Sequence, residues 1–345
     1  MATFYLGQFP PPYGGVTVKN ALLYDSLAKC ISIEKLEFRK TRTTTILGQL
    51  MTSKTDFFVI GFGNAELQRY LLCAMSIVRQ SILSRCVLIA MGGKFSENVG
   101  KTKRYLKACS QLKGIYVETE SMAVAAKKMG LKNVRVFPNC RKRLEQGVHV
   151  GRSETGSPSS LLDRRLSCVF FSLVSPDKGI DLVLEAAERL PTIDFAIYGR
   201  IEDDYEEFQP RVNELDNVTY MGVFDSVKGD AVTELNKYDI HLFPTRWPNE
   251  GVPGVLVETK MAAVPSIVSD ICYNAELVCD GVEGIVLRQN TAHDLVEAIS
   301  LLDADRERLN AMKASALESA ERFYIDKYID RLVSDLTEGQ EKESV

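Results

Sequence analysis

Short apolar runs alternate with amphipathic stretches along the whole chain. In the first half the runs are Thr3–Gly7, Phe57–Gly61, Cys86–Ala90, Gly114–Glu118 and Val134–Asn139. Runs of this length, bounded by turn residues, predict strands covered on both faces. Between them, Val16–Cys30 and Ala65–Leu83 read as helices; the second carries Leu67, Leu71, Leu72, Met75 and Val78 at helical spacing. Ser121–Met129 reads as a third helix, capped by Thr119 and ended by Gly130. Residues 31–55 show no single period and are mixed. The second half repeats the scheme, with strands at Cys168–Phe171, Ile193–Gly199, Val218–Val223, Asp239–Phe243, Ser266–Ser269 and Gly284–Leu287. Helices are predicted over Ile180–Leu190, Ala231–Lys237, from Gly254, and over Ala292–Leu302, Asp305–Phe323 and Tyr324–Leu336. The stretch from Cys140 to Arg165 turns basic and then rich in glycine and serine, as a linker does. The pattern predicts an α/β protein of two parallel-sheet domains, 1–145 and 166–322, joined by a linker at 146–165 and followed by a helical segment, 323–345, with a frayed polar end.

Composition narrows the class without changing the picture. A chain of 345 residues with 45% hydrophobic and 26% charged residues is an ordinary globular one. It has no apolar stretch of membrane-spanning length, and its first residues lack the basic flank and cleavage site of a signal peptide. Eight cysteines without a C-x-x-C pair point to reduced, buried thiols and a cytoplasmic setting. Charge is more informative. Residues 1–150 hold 23 basic and 9 acidic residues, and the rest hold 19 and 37, so a net charge of −4 conceals halves of +14 and −18. A basic half suits an anionic membrane surface or an acidic ligand, or it attracts the other half. Nucleic acid is not expected, because no basic-aromatic ladder accompanies the charge. Local concentrations are Arg39, Lys40 and Arg42, and Lys101, Lys103, Arg104 and Lys107 on a helix with Tyr105 and Leu106. The latter is a solvated face or a platform for lipid headgroups or an acceptor's diphosphate.

Candidate chemistry concentrates in Pro244–Pro265, PTRWPNEGVPGVLVETKMAAVP. Glu250 falls in a turn-forming segment with Gly251, Pro253 and Gly254, and Glu258 about one turn into the helix that follows. Free N–H groups at a helix start attract anions, and a carboxylate on either side suits sugar hydroxyls. Gly14-Gly15 between a strand and a helix is a second place where backbone approaches a ligand closely. Gly61-Phe-Gly63 lacks the third glycine of a dinucleotide fingerprint. Lys178 lies in a Ser-Pro-Asp-Lys-Gly turn. The acids of Glu202–Glu207 read as an exposed helix lead rather than a metal site.

The Glu-Gly-x-Pro…Glu loop and helix, the strand after it and the Glu276…Asp280-Gly281…Gly284 tail resemble the signature of family-four, retaining, GT-B-type glycosyltransferases, those of bacterial surface polysaccharides among them. The resemblance implies two Rossmann-like domains facing a cleft, with the final helix crossing back to the first. It implies transfer of a sugar from a nucleotide-diphosphate donor to an acceptor hydroxyl, a lipid-linked glycan in O-antigen or capsule assembly, by a protein peripheral at the inner face of the cell membrane. No cofactor or metal is implied. Gly14 and Gly15 carry over to a loop facing the cleft. Lys178 falls to the diphosphate with the N–H groups of Val252 to Val255, Val223 to the nucleobase, Glu250 to the donor sugar and Glu258 to the ribose. Two positions depart from the pattern: Leu173 replaces an arginine, for which Arg200 is a substitute, and Met91 replaces a histidine. Those departures motivate one alternative, a non-catalytic relative acting as a scaffold; the other is a GT-B-fold nucleotide-sugar epimerase, against which the few histidines and acids of the first half speak.

Overall fold

The computed structural model describes residues 2–11, 14–38, 43–52, 56–144 and 164–337. The basic residues Arg39, Lys40 and Arg42, nearly all of the expected linker and the C-terminal end lie outside the described residues. The chain forms two compact units, one made of Met1–Arg143 with Phe323–Val345 and the other of Leu144–Arg322.

Unit one is built on β1 (Thr3–Gly7), β2 (Ile33–Glu37), β3 (Phe57–Gly61), β4 (Cys86–Ile89), β5 (Gly114–Val117) and β6 (Val134–Val136). They form a parallel sheet in the order β2-β1-β3-β4-β5-β6. Every residue of β1, β3, β4 and β5 is buried, which is why these strands read as unbroken apolar runs. The stretch read as mixed holds β2 and a helix, Thr43–Thr52. As an edge strand, β2 buries Ile33 and Leu36 and exposes Glu34 and Lys35 between them, so it shows neither a continuous apolar run nor a strict alternation. The expected Ala65–Leu83 helix stops at Val78, where Arg79 leaves helical geometry and a 3₁₀ turn, Gln80–Arg85, follows. The chain returns to this unit at its end. Arg141 exchanges backbone hydrogen bonds with Phe323 and Ile325, at 2.8 and 3.1 Å. Asp335, buried, accepts from the Tyr116 hydroxyl at 2.7 Å and pairs with Arg135 at 2.7 Å.

Unit two holds β7 (Ser167–Phe171), β8 (Asp194–Tyr198), β9 (Val218–Gly222), β10 (Ile240–Phe243), β11 (Ser266–Ser269) and β12 (Gly284–Leu287). This sheet is also parallel, in the order β12-β11-β10-β7-β8-β9. One face is sealed by a cluster that includes Phe170, Ile197, Leu242, Ile267, Leu184 and Leu295. Asp239, at the foot of β10, is 3% exposed and bonds Arg164 at 2.6 Å, Lys313 at 2.7 Å and the Ser167 amide at 3.0 Å. Burial alone would push its pKa up, but the Lys313 ammonium and then Arg164 hold the carboxyl below its usual range. Strand order reverses between β7 and β10 in this sheet and between β1 and β3 in the other. Loops leaving the carboxyl ends of such neighbouring strands diverge to opposite faces and open a crevice, the place where open α/β sheets hold ligands.

Candidate active site

Two loops leave the reversal point of unit two. The loop after β7 ends in the Pro176–Lys178 turn and the Ile180–Arg189 helix; the loop after β10 runs to the Gly254–Met261 helix. Gly179 joins turn to helix at φ +79°, and a Cβ there would sit 2.1 Å from the Pro244 carbonyl oxygen. Only glycine allows that approach, which seats one loop on the other. Arg246 adds a clamp: its guanidinium donates to both Asp181 carboxylate oxygens at 2.8 and 2.9 Å and to the Pro176 carbonyl at 3.0 Å. Its amide donates to the Asp177 carbonyl at 2.7 Å. The outcome is an ion pair between Lys178 Nζ and Glu250 Oε2, with side chains 16% and 14% exposed. Thr245, fully buried, also donates to Glu250 at 3.4 Å. The Trp247 ring, 39% exposed, lies 5.9 Å from the Lys178 ammonium.

The Gly254–Met261 helix starts beside this pair. Among the described residues no side chain caps its N-terminus, and no acid occupies its first turn. Pro253 has no N–H, so the span from Val252 to Val255 holds three N–H groups, and Gly254 and Val255 are the two at the start of the helix itself. The helix is anchored from beneath. Lys260, 3% exposed, pairs with Glu283 at 2.6 Å, and Glu283 also accepts from Arg322 at 2.8 Å. Burial pulls the Lys260 pKa down while Glu283 pulls it up; Glu283 itself, despite burial, is held low by Lys260 and then Arg322. Thr259 and Ser266 share a hydrogen bond at 3.1 Å, and Ser266 meets His241 Nδ1 at 3.1 Å. His241 is fully buried and its Nε2 has no partner among the described residues; burial alone pushes its pKa down to about 3. Glu258 is half-buried one turn along the same helix.

The other expected positions are described within their own units. Arg200 is exposed and its guanidinium pairs with Asp203 at 2.8 Å, not with the Lys178 turn. Leu173 is part-exposed in the loop after β7. Val223 follows β9 and is 66% exposed. Beside it, Phe171, Tyr198 and Phe224 form a cluster with ring centroids 5.0 to 6.4 Å apart. In unit one, Gly14 and Gly15 begin the Gly15–Leu27 helix, with Gly14 at its N-cap. Buried Asn20 on that helix donates to Gln8 and Gly61 carbonyls at 2.8 and 2.9 Å and accepts from Tyr5 at 2.8 Å, tying the loops after β1 and β3 together. A Cβ at Gly61 would lie 2.3 Å from Asn20 Oδ1. Lys19 pairs with Glu118, after β5, at 2.6 Å, both nearly fully buried. Met91 packs against the core of this unit. Lys103, Arg104 and Lys107 share the Lys103–Ser110 helix, but Lys101 does not: Thr102 caps that helix, and Lys101 ends the preceding one, bonding Asn98 at 2.7 Å. All eight cysteines are free, but Cys30, Cys272 and Cys279 are exposed, contrary to the expectation of buried thiols. The Glu202–Glu207 acids are exposed, as expected of a helix lead. His293, Asp294 and Glu297 bring ligand atoms within 4.8 Å of one another on an exposed helix face. Asp294 there closes the Thr291 cap of its own helix.

Sequence reasoning missed Thr245, Arg246 and Trp247, which frame Glu250. Trp247 had a signal, being the only tryptophan of the chain and three residues from Glu250. The Arg246–Asp181 pair had none, since 65 positions separate its members.

Two parallel six-stranded sheets, each with helices and one reversal of strand order, define a GT-B-type architecture. Residues 159–319 match the family described as glycosyl transferases group 1. The chain is 28% identical over 218 residues to an exopolysaccharide phosphotransferase of Streptomyces coelicolor, a match covering 60% of the chain and 20% of that protein. It spans less than half the length of each of the curated relatives it matches. Among solved structures, Anabaena HepE in complex with UDP superposes with a TM-score of 0.70 at 17% identity, covering 98% of the chain and 100% of HepE. WaaG, a glycosyltransferase involved in lipopolysaccharide biosynthesis, does so with 0.62 at 15% identity, covering 98% and 100%.

Proposed function

We propose that the chain is a retaining glycosyltransferase that moves a sugar from a nucleotide-diphosphate donor to the hydroxyl of a lipid-linked glycan in surface-polysaccharide assembly. The observation that carries this reading is the Lys178–Glu250 pair at the reversal point of unit two, beside an uncapped helix start with Glu258 one turn on. Negative charge develops on the diphosphate as the glycosidic bond breaks. Lys178 and the Gly254 and Val255 N–H groups stabilise it, a preorganised electrostatic contribution. Glu250 orients the donor sugar and Glu258 holds the ribose. The leaving phosphate helps to deprotonate the acceptor on the same face, which retains configuration. Because the Lys178 ammonium and the two N–H dipoles meet the diphosphate charge in this reading, transfer needs no bound metal, and activity should persist in chelator. Leu173 leaves one cation where two would be expected, which makes Lys178 the more important.

The polysaccharide setting is supported by the Streptomyces relative and by a relative encoded in a Klebsiella cps region. HepE has been solved with UDP and with UDP-glucose, so uridine donors are the first to test. The test is calorimetry with nucleoside diphosphates and nucleotide sugars, followed by transfer to a lipid-diphosphate glycan with the anomeric configuration read by NMR. Glu258→Ala should weaken nucleotide binding about tenfold, the worth of one charge-assisted hydrogen bond, and change turnover less. Binding of no nucleotide would favour the scaffold alternative. Epimerised free donor would favour the epimerase.

A further inference from the structure

We propose that His241 is a positioning residue for the donor: as the neutral Nδ1–H tautomer it heads a buried chain of hydrogen bonds that sets the first turn of the Gly254–Met261 helix. This role rests on the reading of that helix as the place of the diphosphate and ribose. His241 on β10 and Ser266 on β11 are partners in register, and both are buried. His241 Nδ1 meets Ser266 Oγ at 3.1 Å, and Ser266 Oγ meets Thr259 Oγ1 at 3.1 Å. Thr259, fully buried on the helix, donates its hydroxyl to the Leu256 carbonyl at 3.1 Å. The hydroxyl hydrogens set the direction of the chain. Thr259 has one to give, and it goes to a carbonyl, which only accepts. Thr259 Oγ1 therefore accepts from Ser266, and Ser266 Oγ accepts from the Nδ1–H of His241. Nε2 is left as an acceptor without a hydrogen, and no donor reaches it among the described residues. A proton there would make a buried N–H with nothing to accept it, so the chain runs in the neutral ring.

The chain of bonds ends beside the groups that meet the donor. Leu256 is the third residue of the helix; its amide donates to the Pro253 carbonyl at 3.2 Å, and its carbonyl takes the Thr259 hydroxyl. Both backbone groups of Leu256 are tied, next to the Gly254 and Val255 N–H groups. Fixing Leu256 fixes the direction in which those two N–H groups point, and a diphosphate is sensitive to that direction. Glu258 directly precedes Thr259, so the same anchor orients it. Lys260 and Glu283 act on the last turn of the helix instead. A polar network whose hydroxyls are all paired holds one geometry where apolar packing would allow several. The His241 ring also stacks on Phe243, with centroids 5.9 Å apart and an interplanar angle of 24°. Ring packing and the Nδ1 donor are therefore separate contributions, which substitutions can separate.

His241→Phe keeps the ring and removes the donor; His241→Asn keeps an N–H donor at the place of Nδ1 and removes most of the ring. Calorimetry of the full chain with uridine diphosphate should show about fivefold weaker binding for His241→Phe and for Thr259→Val, and binding close to wild type for His241→Asn. The double variant His241→Phe with Thr259→Val should bind no more weakly than either single one, because one cut already breaks the chain of bonds. Nitrogen NMR of the wild-type histidine rings, which does not depend on any variant folding, should show His241 with its hydrogen on Nδ1 and none on Nε2. The proposal is overturned if that hydrogen sits on Nε2 or the ring is charged at neutral pH. It is also overturned if His241→Asn binds as weakly as His241→Phe. A lower melting temperature in His241→Phe and Thr259→Val with unchanged diphosphate affinity would make the chain of bonds a core feature only and would overturn the proposal alone. A wild-type chain that binds no nucleoside diphosphate would sink the donor reading and this role together.

Discussion

Glu250→Gln should tighten the binding of a bare nucleoside diphosphate while lowering transfer. In the unliganded protein Glu250 neutralises Lys178, and each side chain is about one-seventh exposed. A diphosphate that reaches Lys178 competes with this carboxylate and meets its negative charge. Glutamine keeps the shape and one acceptor oxygen but removes the charge. A hydrogen bond between charged groups contributes about 1.5–3 kcal/mol, and contact with water on both partners favours the lower figure. Releasing about 1.5 kcal/mol corresponds to roughly tenfold tighter binding of the diphosphate. Lys178→Ala has the opposite sign: it leaves Glu250 facing the phosphates alone and should weaken binding about thirtyfold or more. Transfer from the intact nucleotide sugar should fall in both variants, by about a hundredfold or more, because Glu250 then no longer orients the sugar and Lys178 no longer meets the leaving group. Isothermal calorimetry with uridine diphosphate and initial rates with the nucleotide sugar read the two effects separately. A double-mutant cycle should return a coupling of about 1–3 kcal/mol. If Glu250→Gln weakens diphosphate binding as much as Lys178→Ala does, the pair is a structural lock and the competition argument fails.

Trp247 is the only tryptophan, so its emission should shift when a nucleotide sugar binds and shift less with the diphosphate alone; binding seen by calorimetry without any change in emission would place the sugar elsewhere. His241 stays neutral in the fold down to about pH 3, whereas an unfolded chain protonates it near its ordinary pKa. The unfolded state therefore binds more protons as pH falls, and stability should drop by about 2 kcal/mol between roughly pH 6.5 and 5. His241→Leu should flatten that slope in denaturant titrations, and an unchanged slope would remove His241 as its source. Asp239→Asn leaves Lys313 and Arg164 facing an uncharged partner in a buried setting, and should cost about 3–5 kcal/mol in denaturant titration, with a lower melting temperature. A loss under about 1 kcal/mol would mean that the two cations find other partners.

The strands that form the centre of each sheet were legible because burial on both faces makes them continuous apolar runs. β2 and the Thr43–Thr52 helix were not, since an edge strand needs few apolar residues. The helix break at Arg79 follows no proline or glycine, and the shift of Lys101 out of its helix depends on Thr102, whose capping role shows only once Tyr105 N–H is seen to point at it. Within the site, Glu250 and Glu258 carried a local signal, a turn running into a helix. Their surroundings did not, because Arg246 meets Asp181 and Thr245 meets Ser269 through pairings far apart along the chain.

The sequence by itself determined the alternation of strands and helices, two parallel sheets, a basic first half and a helix start between two glutamates. All of these rest on periodicity, turn chemistry and charge, which act over a few residues. Only the tertiary structure decided that Lys178 spends the unliganded state on Glu250 and that Arg200 turns to Asp203. It likewise decided that His241 and Ser266 meet Thr259 beneath the Gly254–Met261 helix. Which side chains meet depends on the order in which strands associate, and on which face of a helix its neighbours cover. No single stretch of sequence holds that information.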